Sequence, residues 1–242
     1  MHRGLIAALL FTTALSPAAE LHVAAAANLS NVMPELSAAF EQKAHIHVVT
    51  SYGATAQLTE QIENGAPFDV FLSADVEHID QLIKGKFIAP DSRRIYARGQ
   101  LVIWAPHHPE IRTVHDLARS DVRAIGVAKP ELAPYGEAAI DSLKNAGIWD
   151  KVETKIVYAP SVAIAKQFAD TGNTEASFTA GSLTLGQRVS PVPVDEKLHK
   201  PIDQALGIVA ASKEQKNALA FLMFLASPAA REILKRFGYT QP

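Results

Sequence analysis

The sequence predicts an α/β fold with largely parallel strands, in a chain that leaves its first domain and later returns to it. Three observations carry this reading. Short apolar runs alternate with amphipathic helical patterns along most of the chain. Small, hydroxyl or amide residues follow several strands at the position that opens the next helix. Arg98-Gly99-Gln100 and the proline-rich, charged stretch 191–201 read as crossings rather than as members of one sheet.

Composition supports a large core. The chain has 242 residues, 48% hydrophobic and 20% charged, enough for one large domain or two of roughly 100 residues. Lys and Arg number 23 against 25 Asp and Glu, a formal charge of -2. That balance argues against a nucleic-acid partner, which favours a basic excess or stripe. The absence of cysteine removes disulfides, thiolate metal sites, thiol catalysis and a cysteine-borne lipid anchor from consideration.

Residues 1–19 are expected to be a secretory signal peptide. Arg3 precedes an apolar run over 4–15, and Ser16-Pro17-Ala18-Ala19 offers small residues for cleavage. The run is shorter than the about 20 residues that span a bilayer. The mature protein is therefore expected in the periplasm, soluble and monomeric.

Strands are predicted over 21–26, 46–50, 70–73, 101–104, 124–128, 155–158 and 176–179. Between them lie helical stripes. Leu29, Val32, Met33, Leu36 and Phe40 share one face; Leu58 and Ile62 mark the next helix, ended by Gly65 and Pro67. Val76, Ile79, Leu82 and Ile83 mark a third, Ala139, Ile140 and Leu143 a fourth, and 162–169 a fifth, each stopped by a glycine. The crossings divide the mature chain into domain I, 20–99 with 203–242, and domain II, 100–202.

Four turns stand out: Ala27-Asn28, Ser51-Tyr52-Gly53-Ala54-Thr55, Pro134-Tyr135-Gly136 and Pro160-Ser161-Val162. In a parallel sheet such turns lie at the carboxyl edge, where ligands sit. A helix start there offers free N–H groups and a positive dipole end, suited to an anion. Taken singly, Asn28, Thr55 and Ser161 read more simply as ordinary N-caps. Pro34 lies in the second turn if Asn28 is the cap, so the regular helix is expected to start nearer Ser30.

The first, second and fourth turns contain no Lys or Arg, and Lys129 precedes the third. A phosphate-ester site would normally recruit basic side chains or a glycine-rich loop. Neutral dipoles suit a compact, ionised oxyanion. Four helix ends at ~1–2 kcal/mol each give about 4–8 kcal/mol, which reaches millimolar to micromolar affinity.

At these residues the chain closely resembles the periplasmic molybdate-binding proteins of ABC importers. The matching segments are AAAANLSNVMPEL (24–36), SYGAT (51–55), QIENGAPFDVFLSAD (61–75), APYG (133–136) and PSVAIA (160–165), and they fall in consistent order over the mature chain. The resemblance implies a two-domain type II periplasmic-binding-protein fold, with mixed, mainly parallel sheets and the ligand in the cleft between domains. It implies molybdate or tungstate as ligand, a membrane permease as partner, and neither catalysis nor a cofactor. By position, Asn28 and Thr55 take ligand places in the first two turns, with Ala27 and Ser51 as weaker candidates. Tyr135 and Val162 take the two places in domain II, Val162 through its backbone N–H. One departure is Ala180, where several relatives place a tyrosine before the Gly-Ser pair that here is Gly181-Ser182. The Tyr135 hydroxyl is the expected replacement.

Other readings have weaker support. Sulfate or phosphate would suit the same dipoles, though a donor-only site offers nothing to the proton of hydrogen phosphate. A cation site would rest on His45 with His47, expected on one strand face, or on His107-His108, and neither has further ligands at recognisable spacing. For an exported enzyme, Asp69 and Asp75 are the carboxylate pair, but they flank a short strand and Asp75 reads better as a helix cap. No G-x-S-x-G, G-x-G-x-x-G or H-E-x-x-H motif is present. Trp104 and Trp149 read as packing residues.

Overall fold

The computed structural model describes residues 20–241; the expected signal peptide lies outside them. Two five-stranded mixed sheets carry the fold. The first contains β1 (Glu20–Ala26), β2 (His47–Gly53), β3 (Val70–Leu72), β4 (Arg94–Gly99) and β10 (Ile202–Ile208) in the order β2-β1-β3-β10-β4. The second contains β5 (Leu101–Trp104), β6 (Ile125–Ala128), β7 (Ile156–Ala159), β8 (Ala176–Ala180) and β9 (Val192–Pro193) in the order β7-β6-β8-β5-β9.

Parallel pairing holds where strands are joined through helices: β1 with β2 and β3, and β6 with β7 and β8. The strands next to the crossings, β5 and β10, pair antiparallel with their neighbours. Chain passes between sheets at Gln100, between β4 and β5, and again after β9, ahead of β10. The expected crossing stretches are partly sheet: Arg98 and Gly99 end β4, and Val192–Pro193 forms β9.

The helices are α1 (Met33–Ala44), α2 (Thr55–Glu63), α3 (Glu77–Lys84), α4 (Pro134–Asn145), α5 (Trp149–Val152), α6 (Val162–Asp170), α7 (Gln215–Leu225) and α8 (Pro228–Arg236). Each sheet has its own apolar core. Leu21, Val23, Met33, Leu36, Phe40, Phe221 and Leu234 fill one side of the first sheet, with Phe40 edge-on to Phe221 at 5.0 Å between ring centroids. Leu58, Ile62, Phe71, Ile79 and Leu82 fill its other side. The second sheet is packed by Leu101, Ile103, Val127, Leu143 and Phe178.

Several expectations are corrected. The first helix starts later than Ser30, at Met33, so Pro34 falls in its first turn, where its missing N–H costs nothing. β2 runs on through Gly53 in full register with β1; Ser51 is therefore an exposed edge-strand residue, not part of a turn. His45 is the left-handed C-cap of α1, with φ of 57°, and His47 begins β2 bonded to Glu41 Oε1. They do not share a strand face. β4, β9 and β10 were not anticipated as strands.

Asp69 and Asp75 serve the framework. Asp69 accepts from the His22 N–H and the Ser212 hydroxyl. Asp75 accepts from the Ser73 hydroxyl and the His78 N–H ahead of α3. Trp104 is buried, donates from Nε1 to Asp170 at 2.6 Å, and lies under the Lys166 ammonium.

Candidate functional site

Turns from both sheets meet at one place. β1 ends at Ala26 and enters a single 3-10 turn, Ala27–Leu29, with Asn28 buried in it. α2 opens at Thr55 after extended Ala54. α4 opens at Pro134, and α6 opens at Val162 behind Ser161, whose hydroxyl accepts from the Ile164 N–H. The first N–H groups of these three helices have no partner in their own helix. The first turn is too short for a macrodipole, and Pro134 at the start of α4 lines a separate cavity beside Asp75 and Lys200, so the ends of α2 and α6 remain, worth ~2–4 kcal/mol to an anion.

A cavity of about 320 Å³ lies between the two halves, bordered by Ala27, Ser30, Gly53, Ala54, Pro160 and Ser161 among others; none of its lining residues is charged. The halves also touch directly. The Ala56 N–H donates to Leu132 O at 3.1 Å, the Ser182 hydroxyl to Asn28 O at 2.8 Å, and Asn31 Nδ2 to Ser182 O at 3.3 Å. A larger cavity of about 1050 Å³ opens at the other end of β1, beside Glu20, His22, Asp69 and Lys86. None of the four turns reaches it.

Behind the turns lies a buried polar network. Asn28 Nδ2 donates to Gln204 Oε1 at 3.0 Å and to the Tyr239 hydroxyl at 2.9 Å. Gln204 Oε1 also accepts from the Tyr96 hydroxyl at 2.8 Å, and Gln204 Nε2 donates to the Tyr135 hydroxyl at 3.0 Å. Tyr239 bonds to Asn28 O and Ser182 Oγ. Asn28 Oδ1 is buried and has no partner among the described residues. Burial pushes the Tyr96 and Tyr135 phenols well above their usual range and Tyr239 up to about 12. All three therefore remain neutral hydroxyls at physiological pH.

Asn28, Thr55, Tyr135 and Val162 are all buried and none of the four lines the cavity, whereas Ala27 borders it. The Thr55 hydroxyl accepts from the Ala74 N–H at 3.3 Å. Val162 is the first residue of α6, its carbonyl held by Thr179 Oγ1. The Tyr135 hydroxyl, expected to stand in at the Ala180 position, is held by Gln204. A different phenol, Tyr239, bonds Ser182, the second residue after Ala180. Gly136 fits APYG to its place: a Cβ there would stand 2.1 Å from Ala128 O, so only glycine lets α4 begin against the end of β6.

Sequence reasoning missed Gln204, Tyr239, Tyr96 and Ser182. One signal was available: Ile202, Gln204, Leu206 and Ile208 alternate as one face of a strand, which places a glutamine in an otherwise apolar row.

Residues 21–240 match the family model for bacterial extracellular solute-binding proteins. The chain belongs to that family. Among its relatives, the molybdate-binding protein ModA of Rhodobacter capsulatus is 35% identical over 234 residues, covering 96% of this chain and 93% of that one. The molybdate-binding protein ModA of Azotobacter vinelandii is 37% identical over 231 residues, covering 92% and 90%. In structure, the chain matches the periplasmic molybdate-binding protein of Azotobacter vinelandii with a TM-score of 0.87 at 31% identity, over 92% of this chain and 99% of that one. The α/β solute-binding fold is thus shared over nearly its whole length.

Proposed function

We propose that this chain captures molybdate, and tungstate with it, outside the cytoplasm and delivers it to the membrane permease of an ABC importer. The observation that carries the reading is the meeting of the Asn28 turn with the starts of α2 and α6 around a small cavity with no charged residue in its lining. Such a site holds an oxyanion by fixed neutral dipoles and needs no counter-cation. The identity of the anion is supported by the molybdate-binding relatives.

In this reading, Asn28 and Thr55 contact the anion from domain I (20–99 with 203–242). Val162 and Tyr135, each through its backbone N–H, belong to domain II (100–202), with Ala27 contributing backbone to the rim. The crossings at Gln100 and ahead of β10 are the hinge about which the cleft opens and closes. Ser51, exposed on β2, is left out of the ligand set.

Titration calorimetry of the ligand-stripped protein against molybdate, tungstate, sulfate and phosphate tests the proposal. One-to-one binding of molybdate and tungstate, with sulfate and phosphate weaker, is the expected result. Preferential binding of sulfate or phosphate would reassign the cargo. The absence of heat from all four would end the oxyanion reading.

A further inference from the structure

The buried network admits two hydrogen-bonding states, and Gln204 links its members. In the first, Gln204 Oε1 accepts from Asn28 Nδ2 and Tyr96, while Gln204 Nε2 donates to Tyr135. Asn28 Oδ1 is then an orphan acceptor in a buried place. In the second, both amides are turned over. Asn28 Oδ1 then accepts from Gln204 Nε2 and from Tyr239; Gln204 Oε1 accepts from Tyr135; Gln204 Nε2 also donates to Tyr96, whose proton goes to Ser73 O, 3.2 Å away. Tyr239 then gives up its bonds to Asn28 O and Ser182 Oγ, Asn28 O keeps the Ser182 hydroxyl as its donor, and Asn28 Nδ2 is left as an orphan donor. Turning one amide alone would set oxygen against oxygen, or nitrogen against nitrogen, at the 3.0 Å contact between Asn28 and Gln204. The two amides therefore turn together or not at all.

We infer that Gln204 is a positioning residue for the bound oxyanion: through this coupled turn it decides whether Asn28 presents an acceptor or a donor to the ligand. The inference rests on the reading of Asn28 as an anion contact. A fully ionised oxyanion has only acceptors, so it selects the second state. An oxyanion that keeps a proton at neutral pH can also use the first. Gln204 thereby helps to separate molybdate from hydrogen phosphate without touching either. The same coupling makes the Tyr135 hydroxyl available to the ligand only in the first state, because in the second its proton is given to Gln204.

Two measurements test this. In the unmutated protein, the side-chain NH₂ resonances of Asn28 and Gln204 are followed by nitrogen-15 NMR during a molybdate titration. Both pairs are expected to shift together; a Gln204 pair that stays still while the Asn28 pair moves would overturn the inference. The second measurement compares Gln204→Glu with Gln204→Met, after thermal unfolding has established that each is folded. The carboxylate of Gln204→Glu accepts only, so it draws Asn28 Nδ2 inward and fixes Oδ1 outward, whereas Gln204→Met makes no such demand. The molybdate-to-phosphate affinity ratio is expected to fall at least about tenfold in Gln204→Glu relative to Gln204→Met. With the titrations run at about pH 8.5, where phosphate is almost wholly the dianion HPO₄²⁻, charge repulsion alone would weaken both anions alike, so an unchanged ratio would overturn the inference. Failure of the unmutated protein to bind any oxyanion would instead defeat the underlying functional reading.

Discussion

A Cβ on Gly99 would stand 1.9 Å from the Tyr135 hydroxyl and 2.6 Å from Gln204 Nε2. Gly99 is the last residue of β4, so the first crossing runs directly over the polar network. Its glycine is needed for space.

Gly99→Ala is therefore expected to displace Tyr135 and Gln204 and to lower stability by ~1–3 kcal/mol, the usual cost of overpacking. Affinity for molybdate should fall with it. Urea unfolding and calorimetry on the same preparation would check both; a variant as stable and as tight-binding as the unmutated protein would contradict the crowding seen at this position.

Tyr135→Phe removes the hydroxyl held by Gln204 and leaves a buried amide short of a partner. The expected cost is ~1–3 kcal/mol of stability. Because the hydroxyl serves Gln204 rather than the anion in the molybdate-selected state, affinity should fall less than in Asn28→Ala. Calorimetry of the two variants side by side decides this. A larger loss in Tyr135→Phe would make its hydroxyl a direct ligand.

Val162→Pro tests the proposed backbone donor. Val162 is the first residue of α6 and Ser161 before it is extended, with φ -152° and ψ 165°, so proline is compatible with the helix start while deleting the N–H. Affinity should drop at least about tenfold with a modest change in unfolding midpoint. Val162→Ala, which trims the side chain and keeps the N–H, should bind nearly as the unmutated protein does. Equal losses in the two would assign the effect to packing.

His78 and Asp75 meet at 2.6 Å. Burial lowers the His78 pKa, but the hydrogen bond to Asp75 and the charges of Asp75, Glu77 and Glu63 outweigh it, and the net shift is upward. A raised value in the folded state means the stabilisation is fully present below the unfolded value of about 6.5. It is lost as pH rises through the folded value. Urea unfolding from pH 5 to pH 8 should show the unmutated protein exceeding His78→Gln most at the acid end, the gap closing as pH rises. A gap that widens with pH would reverse the assignment.

Much of this molecule is legible in its sequence because the signals are local. Apolar runs and helical stripes mark β1, β3, β5, β6 and α1 to α4 without knowledge of their neighbours. The turns that open α2, α4 and α6 stand beside strand ends in the sequence, so they could be marked from spacing, while the choice of Thr55, Tyr135 and Val162 within them came from the family resemblance. Proline and charge marked the second crossing.

What the sequence could not decide is what each of those residues touches. Asn28 bonds Gln204, 176 residues away, and Tyr239, 211 residues away; neither pairing has a spacing rule, because each depends on where β10 and the segment after α8 settle against β1. Ser51 looked like a turn residue until pairing with β1 extended β2 through Gly53. Tyr135 looked free to offer its hydroxyl until the pairing of β10 with β4 brought Gln204 against it. Local pattern thus determined which residues open helices at the cleft. Only the packing of distant strands decided how their polar atoms are oriented, since hydrogen bonds between buried side chains are fixed by tertiary proximity and carry no periodic trace in the chain.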